Sequence, residues 1–475
     1  MVHKVPYFIA LTPIIILICL LSYNVFLYGD ESLSGANQIA LIFAGIFAVI
    51  IGLIYNKKWY SIQKSIINNI KESSLILILI ILIGALSGTW LISGIIPTMM
   101  YYGLKLINPE FFLIACCLVS AIVALATGSS WSTVATVGIA LLGIGQVLGF
   151  SIGIIGGAII SGAYFGDKMS PMSDTTNIAA ASAETDLFSH IRYMSLTTIP
   201  SFSITLVIFI FLGFSIDLQE MKDINELLIT LDNTFNISLW LFIAPVILIF
   251  LIFKKVAPLP SLVFASLIGA LFAVIFQPEI IASLSDEKNF SFRSIYKTIV
   301  QAMTSNIKLQ TNNDLINEIL TSNGMYGMLN TIWLIICAMI FSGAMEGAKL
   351  LQRISEPIIK YAQSTGSIIA STAGTCVFFN IATSDQYLAI IVPGRMFAKS
   401  YKEKKLAAEN LSRTLEDAGT VTSVLIPWNT CGATQSAVLG VSTLAYAPYC
   451  FFNIISPFMT ILYAYIGIQI KKIKK

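Results

Sequence analysis

The stretch from Gly162 to Asn177 concentrates polar and helix-breaking residues inside an apolar region. Its sequence, GAYFGDKMSPMSDTTN, combines Pro171 and two glycines with acids, hydroxyls and an amide. Proline lacks a backbone donor and glycine is conformationally permissive, so this composition predicts an interrupted helix. Interrupted helices at bilayer depth expose carbonyl oxygens, and hard cations require several oxygen ligands. The candidate ligands for a monovalent cation are Asp167, Ser173, Asp174, Thr175, Thr176 and Asn177.

A second stretch, from Ile426 to Ser436, has a similar composition. Its sequence, IPWNTCGATQS, contains Pro427, hydroxyls and amides but no acid. We predict a second interrupted helix here, with Asn429 and Thr430 as candidate ligands.

Three aspartates, Asp167, Asp174 and Asp385, lie within segments predicted to be in the membrane. A charge at the membrane centre costs at least about 2.5–3.5 kcal/mol on insertion scales, so each is a candidate for binding an ion or a proton. Structural alternatives stand beside this interpretation. Asp167 could pair with Lys168 and hold the break open, and Asp174 or Asp385 could be a helix N-cap.

Two regions, 109–149 and 366–396, are too long for one membrane span and are polar in the middle. We interpret them as re-entrant hairpins, which are tolerated where the tip is buried in protein or lines a wet cavity. The alternative is two tight pairs of full spans with turns at the surface. As hairpins, the regions should bring their tips to the two breaks. The tip residues predicted to bind the cation are Thr127, Ser129, Ser130, Thr383 and Ser384, together with Asp385.

These residues must be positioned by helices in lipid. Of the 475 residues 56% are hydrophobic and only 11% are charged, and the mean hydropathy is +0.83. The apolar runs are continuous over about twenty residues, which favours helices over the shorter alternating strands of a barrel. We therefore predict an all-α polytopic membrane protein with about ten transmembrane helices and two re-entrant hairpins.

Basic loops indicate the orientation. Lysines cluster at 57–71, at 254–255 and at 471–475, and such clusters favour the cytoplasmic side. We predict a multi-pass protein of the cell membrane with both termini cytoplasmic and the acidic segment from Asp217 to Asp232 outside. The net charge of +3 is small and dispersed, so the lipid bilayer is a partner and nucleic acid is not.

The polar features recur at a fixed spacing. Ala382-Thr383 follows Ala126-Thr127 by 256 positions, and Pro427 follows Pro171 by the same number. The loop after the first hairpin is uncharged, whereas its counterpart at 399–413 is strongly basic. Matching loops therefore face opposite sides, which predicts two inverted-topology repeats with broken helices at the membrane midplane.

The predicted organisation has four segments. They are a two-helix segment and cytoplasmic linker (1–72), a first repeat (73–216) with hairpin 109–149 and broken helix 152–183, linker helices and extracellular loops (217–326), and a second repeat (327–475) with hairpin 366–396 and broken helix 418–438. Glu416 and Asp417 precede the last of these helices and are expected at the membrane interface.

Several classes of function have no support in the sequence. No phosphate-binding loop with a lysine is present, which argues against an ATP-driven pump, and a serine hydrolase would lack its base. His3 and His190 are predicted at cytoplasmic surfaces, and the seven cysteines show no metal-ligand spacing. We predict a transporter rather than an enzyme, with no cofactor.

Three motifs carry a resemblance to a known family. The stretch Ser161–Asn177, with GTVTS at 419–423 and PWNTCGA at 427–433, resembles the NhaC family of sodium/proton antiporters, which includes sodium-coupled malate/lactate exchangers. The likeness extends from Leu75 to Ile470, and Val424 departs from it where many relatives are expected to have proline. The resemblance implies two re-entrant hairpins, inverted repeats and sodium binding by tip and broken-helix residues.

We therefore predict a secondary antiporter that exchanges cytoplasmic sodium for external protons by alternating access, with both ions competing for one carboxylate-containing site. One alternative is a sodium- and proton-coupled malate/lactate exchanger, for which Lys168 is the only obvious intramembrane cation. Another is an ion channel or a non-transporting membrane scaffold, although a channel would be expected to repeat its filter around an oligomer axis. The sequence leaves a homodimer open.

Overall fold

The computed structural model describes residues 5–106, 108–214, 224–254, 256–285, 290–311, 313–354 and 364–473. These residues are predominantly helical, which confirms the predicted all-α class. Within the described ranges the strands are two short antiparallel pieces, Ile307–Lys308 and Thr321–Ser322. His3, Asp217, Lys255 and the last two lysines lie outside the described residues.

The helices of the first half and of the linker are α1 Tyr7–Tyr28, α2 Ala36–Ile54, α3 Trp59–Glu72, α4 Ser74–Ile92, α5 Ile95–Leu106, α6 Phe112–Thr127, α7 Ser130–Thr133, α8 Ile139–Val147, α9 Ile152–Met169, α10 Asp174–Ser182, α11 Leu187–Phe214, α12 Ile224–Thr234, α13 Ile243–Phe253, α14 Pro258–Phe276, α15 Pro278–Leu284, α16 Phe292–Thr304, α17 Asp314–Ile319 and α18 Gly324–Gly327. Those of the second half are α19 Leu329–Gly347, α20 Thr365–Thr383, α21 Gln386–Glu403, α22 Ala408–Thr414, α23 Thr430–Leu439, α24 Thr443–Tyr446 and α25 Phe451–Ile466. Short 3₁₀ turns occupy Gly29–Ser34, Pro109–Phe111, Leu239–Phe242, Ser423–Leu425 and Ala447–Tyr449, and π-helical turns occupy Val134–Gly138 and Leu415–Thr420.

Nine helical stretches of the described part are long and apolar enough to cross a membrane, and three of them, Pro109–Thr127, Ser130–Val147 and Thr365–Thr383, are arms of the predicted hairpins. Counting two bent helix pairs as single spans raises the number to eleven. One pair, Asn225–Thr234 and Leu239–Phe253, bends by 85°, and the other, Thr443–Tyr449 and Phe451–Ile466, bends by 54°. The chain is therefore a multi-pass membrane protein.

Both predicted hairpins are helix pairs joined by a two-residue tip. Gly128 and Ser129 connect α6 to α7, and Ser384 and Asp385 connect α20 to α21. One residue of each tip takes the left-handed backbone conformation, with φ of 68° at Gly128 and 56° at Ser384. Ser384 is fully buried and Gly128 is partly buried. A turn between two full spans would lie at the surface, so burial of the tips favours the re-entrant interpretation.

Both predicted helix breaks are present. The first occupies 170–173, between α9 and α10, and the second occupies 426–429, before α23. The helix that leads into the second break begins at Ala408, earlier than the predicted start at 418. Sequence suggests a loop at 408–417 because this segment is charged, but the structure places it in a buried helix.

Element boundaries recur with the spacing of the sequence motifs. Ile152 begins α9 and Ala408 begins α22, and Asp174 begins α10 and Thr430 begins α23. Each pair is separated by 256 positions (408 − 152 and 430 − 174). The two halves therefore have the same order of arm, tip, arm and broken helix, while their inverted orientation stays a prediction.

Glycines in the first motif allow the first hairpin to pack directly on the broken helix. A Cβ atom added at Gly162 would lie 2.0 Å from the carbonyl oxygen of Cys117, and one at Gly166 would lie 2.2 Å from that of Ala121. No side chain fits at such distances, so glycine is required for α6 to approach α9. This packing brings the first tip to the first break.

Candidate functional site

The first tip contacts the first break around Asp167. Ser130, at the start of α7, donates two hydrogen bonds to Oδ2 of Asp167, from its backbone nitrogen at 3.0 Å and from Oγ at 2.7 Å. A Cβ at Gly128 would lie 2.9 Å from the backbone nitrogen of Ser173, so tip and break are packed backbone to backbone. Asp167 is only 7% exposed. Two donors to a buried carboxylate stabilise its ionised form.

Asp174 has a different environment. It is the first residue of α10 and is exposed, while Ser173 occupies the N-cap position. Asp174 is therefore not the N-cap of its own helix. Its carboxylate lies at the wall of a cavity that also includes Asp167.

This first cavity has a volume of about 780 Å³ and is acidic. Its described lining contains three carboxylates, Glu72, Asp167 and Asp174, and no lysine, arginine or histidine. Oxygen-bearing residues of the first tip and break complete the wall: Thr127, Ser129, Ser132, Ser173, Thr175 and Asn177. A concave surface of one charge sign concentrates ions of the opposite sign, so the cavity attracts cations.

The wall of the first cavity reaches one end of the helical bundle. Ile252 and Pro258 stand on either side, in sequence, of the two lysines at 254–255, and Leu187 begins α11. Nearby, Lys402 Nζ lies 2.7 Å from a carboxylate oxygen of Glu184 and lowers the pKa of that exposed carboxyl. All of these segments were predicted to be cytoplasmic. The cavity therefore extends to the end of the molecule that we predict to be the inner one.

The second tip contacts the second break in the corresponding way. The backbone nitrogen of Thr430 donates to the carbonyl oxygen of Ser384 at 2.9 Å. Asp385 accepts a hydrogen bond from the backbone nitrogen of Leu388 at 2.8 Å and is the N-cap of α21. Asp385 therefore has the role of a helix N-cap, which was the structural alternative to ion binding.

Other predicted ligands of the second half also have structural partners. Thr383 Oγ1 donates to the carbonyl oxygen of Phe379 at 2.7 Å. Asn429 Oδ1 accepts from the backbone nitrogen of Cys431 at 3.0 Å, and so caps α23. These residues are not part of the first cavity's lining, to which the second half contributes Gln386 and Tyr387. The first tip and the first break thus lie around one cavity. The predicted ligands of the second tip and the second break lie outside the lining of that cavity.

Thr176 has a structural role as well. Its Oγ1 donates to the carbonyl oxygen of Lys168 at 2.9 Å, and its side chain is fully buried. This bond connects the two halves of the first broken helix across the gap, so it fixes the position of Asp174.

Lys168 pairs with Asp417 rather than with Asp167. Both side chains of the pair are fully buried. Lys168 Nζ also donates to Ser456 Oγ at 3.1 Å, and Asp417 Oδ2 accepts from Thr197 Oγ1 at 2.8 Å. Asp417 was expected at a membrane interface; it is buried within the protein, in a helix that begins earlier than expected. The pair joins the two halves of the chain.

Sequence reasoning also missed the burial of two further titratable residues. Glu416 is fully buried, and so is His190, whose Nδ1 lies 2.7 Å from Ser412 Oγ instead of at a surface. The repeat spacing contained the signal for Glu416, because its counterpart 256 positions earlier is Ile160, which lies in the middle of α9. No comparable signal pointed to Glu72.

For the sodium/proton exchange predicted from the sequence, Ser130→Ala is expected to raise the sodium concentration for half-maximal activity about tenfold or more, since a hydrogen bond to a charged group is worth about 1.5–3 kcal/mol. Without the hydroxyl, the ionised form of Asp167 loses a donor, so a proton competes better with sodium. The measurement is the sodium dependence of proton flux in proteoliposomes. Ser132→Ala is the control, because Ser132 lines the same cavity and its hydroxyl donates no hydrogen bond to an aspartate among the described residues. Equal shifts in both variants would contradict the assignment.

Comparison with known proteins identifies the family of this chain. The model of the Na+/H+ antiporter family matches residues 162–468. The chain is 35% identical over 435 residues to the Na(+)/H(+) antiporter NhaC of Alkalihalophilus pseudofirmus, covering 92% of this chain and 91% of that protein. It is 34% identical to the Na(+)/H(+) antiporter NhaC of Bacillus subtilis, covering 98% of each. It is 33% identical to the malate-2H(+)/Na(+)-lactate antiporter of Bacillus subtilis, covering 90% of this chain and 89% of that protein.

Proposed function

Because the chain belongs to the Na+/H+ antiporter family, we propose that it is a transporter that exchanges cytoplasmic sodium for external protons. The observation that carries this proposal is the first cavity, where the hairpin tip and the helix break place Asp167 and Asp174 together. A carboxylate binds sodium when it is ionised and binds a proton when it is not. Competition for the same group couples the two fluxes.

In the proposed site, Asp167 and Asp174 provide charge and the tip and break provide neutral oxygens. Ser130 keeps Asp167 oriented, while Asp174 is open to the cavity and exchanges its proton with water. Sodium loses its hydration shell only if several oxygens replace it. The proposed neutral ligands are Thr127, Ser129, Ser173, Thr175 and Asn177.

Alternating access is supported by a second cavity beside the second break. It has a volume of about 400 Å³ and includes Pro427 and Trp428. Its other walls include Gly29, Asn37 and Ser442. With the predicted cytoplasmic termini, the first span ends near Gly29 and the last span begins after Ser442, both towards the outer face. We propose that the described conformation is open to the cytoplasm, and that movement of one half against the other exposes the site outside.

An organic acid is a less favourable substrate for the first cavity. A malate or lactate anion needs a cation or hydrogen-bond donors, and the described lining includes three acids and no basic side chain. Lys168, the predicted intramembrane cation, is buried and neutralised by Asp417. We therefore propose sodium and protons alone as the transported species.

The test is sodium-driven proton flux in proteoliposomes with a pH-sensitive dye inside. We expect an imposed sodium gradient to change the internal pH without any organic acid, and added malate or lactate to leave the initial rate unchanged. Flux that requires malate or lactate would favour the exchanger. Sodium current without any proton flux would favour a channel.

The orientation is tested by labelling single cysteines in a background without the native ones. A cysteine at Lys402 should react with a membrane-impermeant maleimide only from the cytoplasm, and one at Asp232 only from outside. Both positions are exposed, so access depends on the side of the membrane. Reaction of both cysteines from the same side would overturn the proposed topology and the inverted repeats.

A further inference from the structure

Glu416 is a fully buried carboxyl that the proposed sodium site does not use. Its exposed fraction is 0%, and neither carboxyl oxygen has a hydrogen-bond partner. The hydroxyl of Thr420 is buried beside Glu416 and has no other partner. An isolated ionised carboxylate in such surroundings is far more costly than a neutral one. These surroundings therefore favour the neutral, protonated form of Glu416.

The adjacent acid, Asp417, is in the opposite state. It accepts hydrogen bonds from Lys168, Ser456 and Thr197, which occupy three of the about four acceptor sites of an ionised carboxylate. Lys168 and Asp417 neutralise each other. In the part of the chain that the structure describes, no basic group lies within ion-pair distance of Glu416.

Several elements contribute charged or titratable groups to the surroundings of Glu416. The charges that act on it are those of Lys168, Asp167 and Asp417. The remaining groups of this region are Cys376 and Tyr401 from the second hairpin, His190 from α11 and Arg413 from α22. Lys168 is the group that would stabilise an ionised Glu416 when its proton has left.

The backbone at Glu416 is a second and independent indication of a function. Glu416 lies in the π-helical turn Leu415–Thr420, whereas the corresponding residues 159–164 of the first half belong to the regular helix α9. π-Helical turns are rare in proteins, and many of those that do occur lie at functional sites. The counterparts of Glu416 and Asp417 are the neutral Ile160 and Ser161. The buried acids are therefore specific to one half of the molecule.

We propose that Glu416 is a second proton-binding residue, separate from the cavity aspartates, which carries one additional proton in each transport cycle. The proposal rests on the proposed antiport function. Asp167 lines the first cavity and the next residue, Lys168, binds Asp417, so a short chain of charged groups connects the cavity wall with Glu416. When the two halves separate and water enters, the carboxyl dissociates into carboxylate and proton, and it is protonated again from the opposite side.

The proposal is tested by the coupling ratio of Glu416→Gln. Glutamine keeps the shape and neutrality of the protonated acid but cannot release a proton, so sodium binding at the cavity should be unchanged. In proteoliposomes, the coupling ratio is obtained from the sodium gradient at which a fixed pH gradient drives no net flux. For Glu416→Gln, this ratio should be one proton per cycle lower than in the wild type. Glu416→Asp, the matched control, keeps an exchangeable proton and should keep the wild-type ratio.

Infrared difference spectra on adding sodium or changing pH give a readout independent of transport. The wild type should show a protonated-carboxyl band that is absent in Glu416→Gln and shifted in Glu416→Asp, even if a variant transports slowly. An unchanged coupling ratio together with an unchanged band would overturn the proposal. Absence of any sodium-driven proton flux in the wild type would instead overturn the proposed function, and the spectra would still decide whether Glu416 is protonated.

Discussion

Asp174→Asn is expected to lower sodium-dependent proton flux by at least about 100-fold while the protein still folds, because losing about 3 kcal/mol of interaction with a charged group corresponds to that factor. Asparagine keeps the size of the side chain but has neither the charge nor the exchangeable proton. Asp174 is exposed at the cavity wall and caps no helix of its own, so the change removes little structural support. The measurement is the initial rate of sodium-driven pH change in proteoliposomes.

Asp186→Asn is the matched control for this prediction. Asp186 is exposed, lies just before α11 and accepts a hydrogen bond from the backbone nitrogen of Ser189 at 2.9 Å, which lowers the pKa of its carboxyl. The same chemical change there should leave the flux unchanged. If Asp174→Asn instead retained normal flux and normal pH dependence, the exchangeable proton would be assigned to another buried acid, Asp167 or Asp385.

Lys168→Ala is expected to destabilise the protein by about 3–5 kcal/mol, the range observed when one partner of a buried ion pair is removed. Asp417 would then be an ionised carboxylate in the interior with hydroxyl partners only, Ser456 and Thr197. Thermal unfolding of the detergent-solubilised protein measures the effect. Because the pair connects the two halves of the chain, the loss should appear in the main unfolding transition.

The double variant Lys168→Met with Asp417→Leu distinguishes an ion-pair effect from a general packing defect. Removing both charges eliminates the cost of burying either one, and apolar replacements of similar volume are often neutral or stabilising. We expect the double variant to unfold near the wild-type temperature. A double variant as unstable as Lys168→Ala, or a single variant as stable as the wild type, would contradict the role assigned to the pair.

The features that sequence predicted well are those with strong local signals. Proline and clustered polar residues in apolar runs marked both breaks, and Pro171 and Pro427 lie within them. The spacing of 256 positions aligned whole elements because the two halves share the same order of helices. The composition of the first motif predicts Gly162 and Gly166 to be helix breakers, but they lie within α9 and permit close packing against α6.

The features that sequence missed depend on contacts between distant residues. Lys168 is adjacent to Asp167 in sequence, yet its partner is 249 positions away, since neighbouring side chains on a helix point in different directions. Asp385 and Asp174 have the same local pattern of an acid after a turn, but one caps a helix and the other lines a cavity. Glu416 was placed at the interface because charged sequence usually indicates solvent. Tertiary packing decides each of these outcomes.

Proton release on sodium binding tests the central claim most directly, because it requires neither a gradient nor a membrane. Purified protein in weakly buffered solution, at a series of pH values that begins in the acidic range where a carboxyl still holds its proton, is mixed with sodium chloride in the presence of a pH indicator. Choline chloride serves as the ionic-strength control. We expect the wild type to release protons as it binds sodium and Asp174→Asn to release markedly fewer. Sodium binding without proton release, or equal release by the wild type and the variant, would contradict a carboxylate site shared by the two ions.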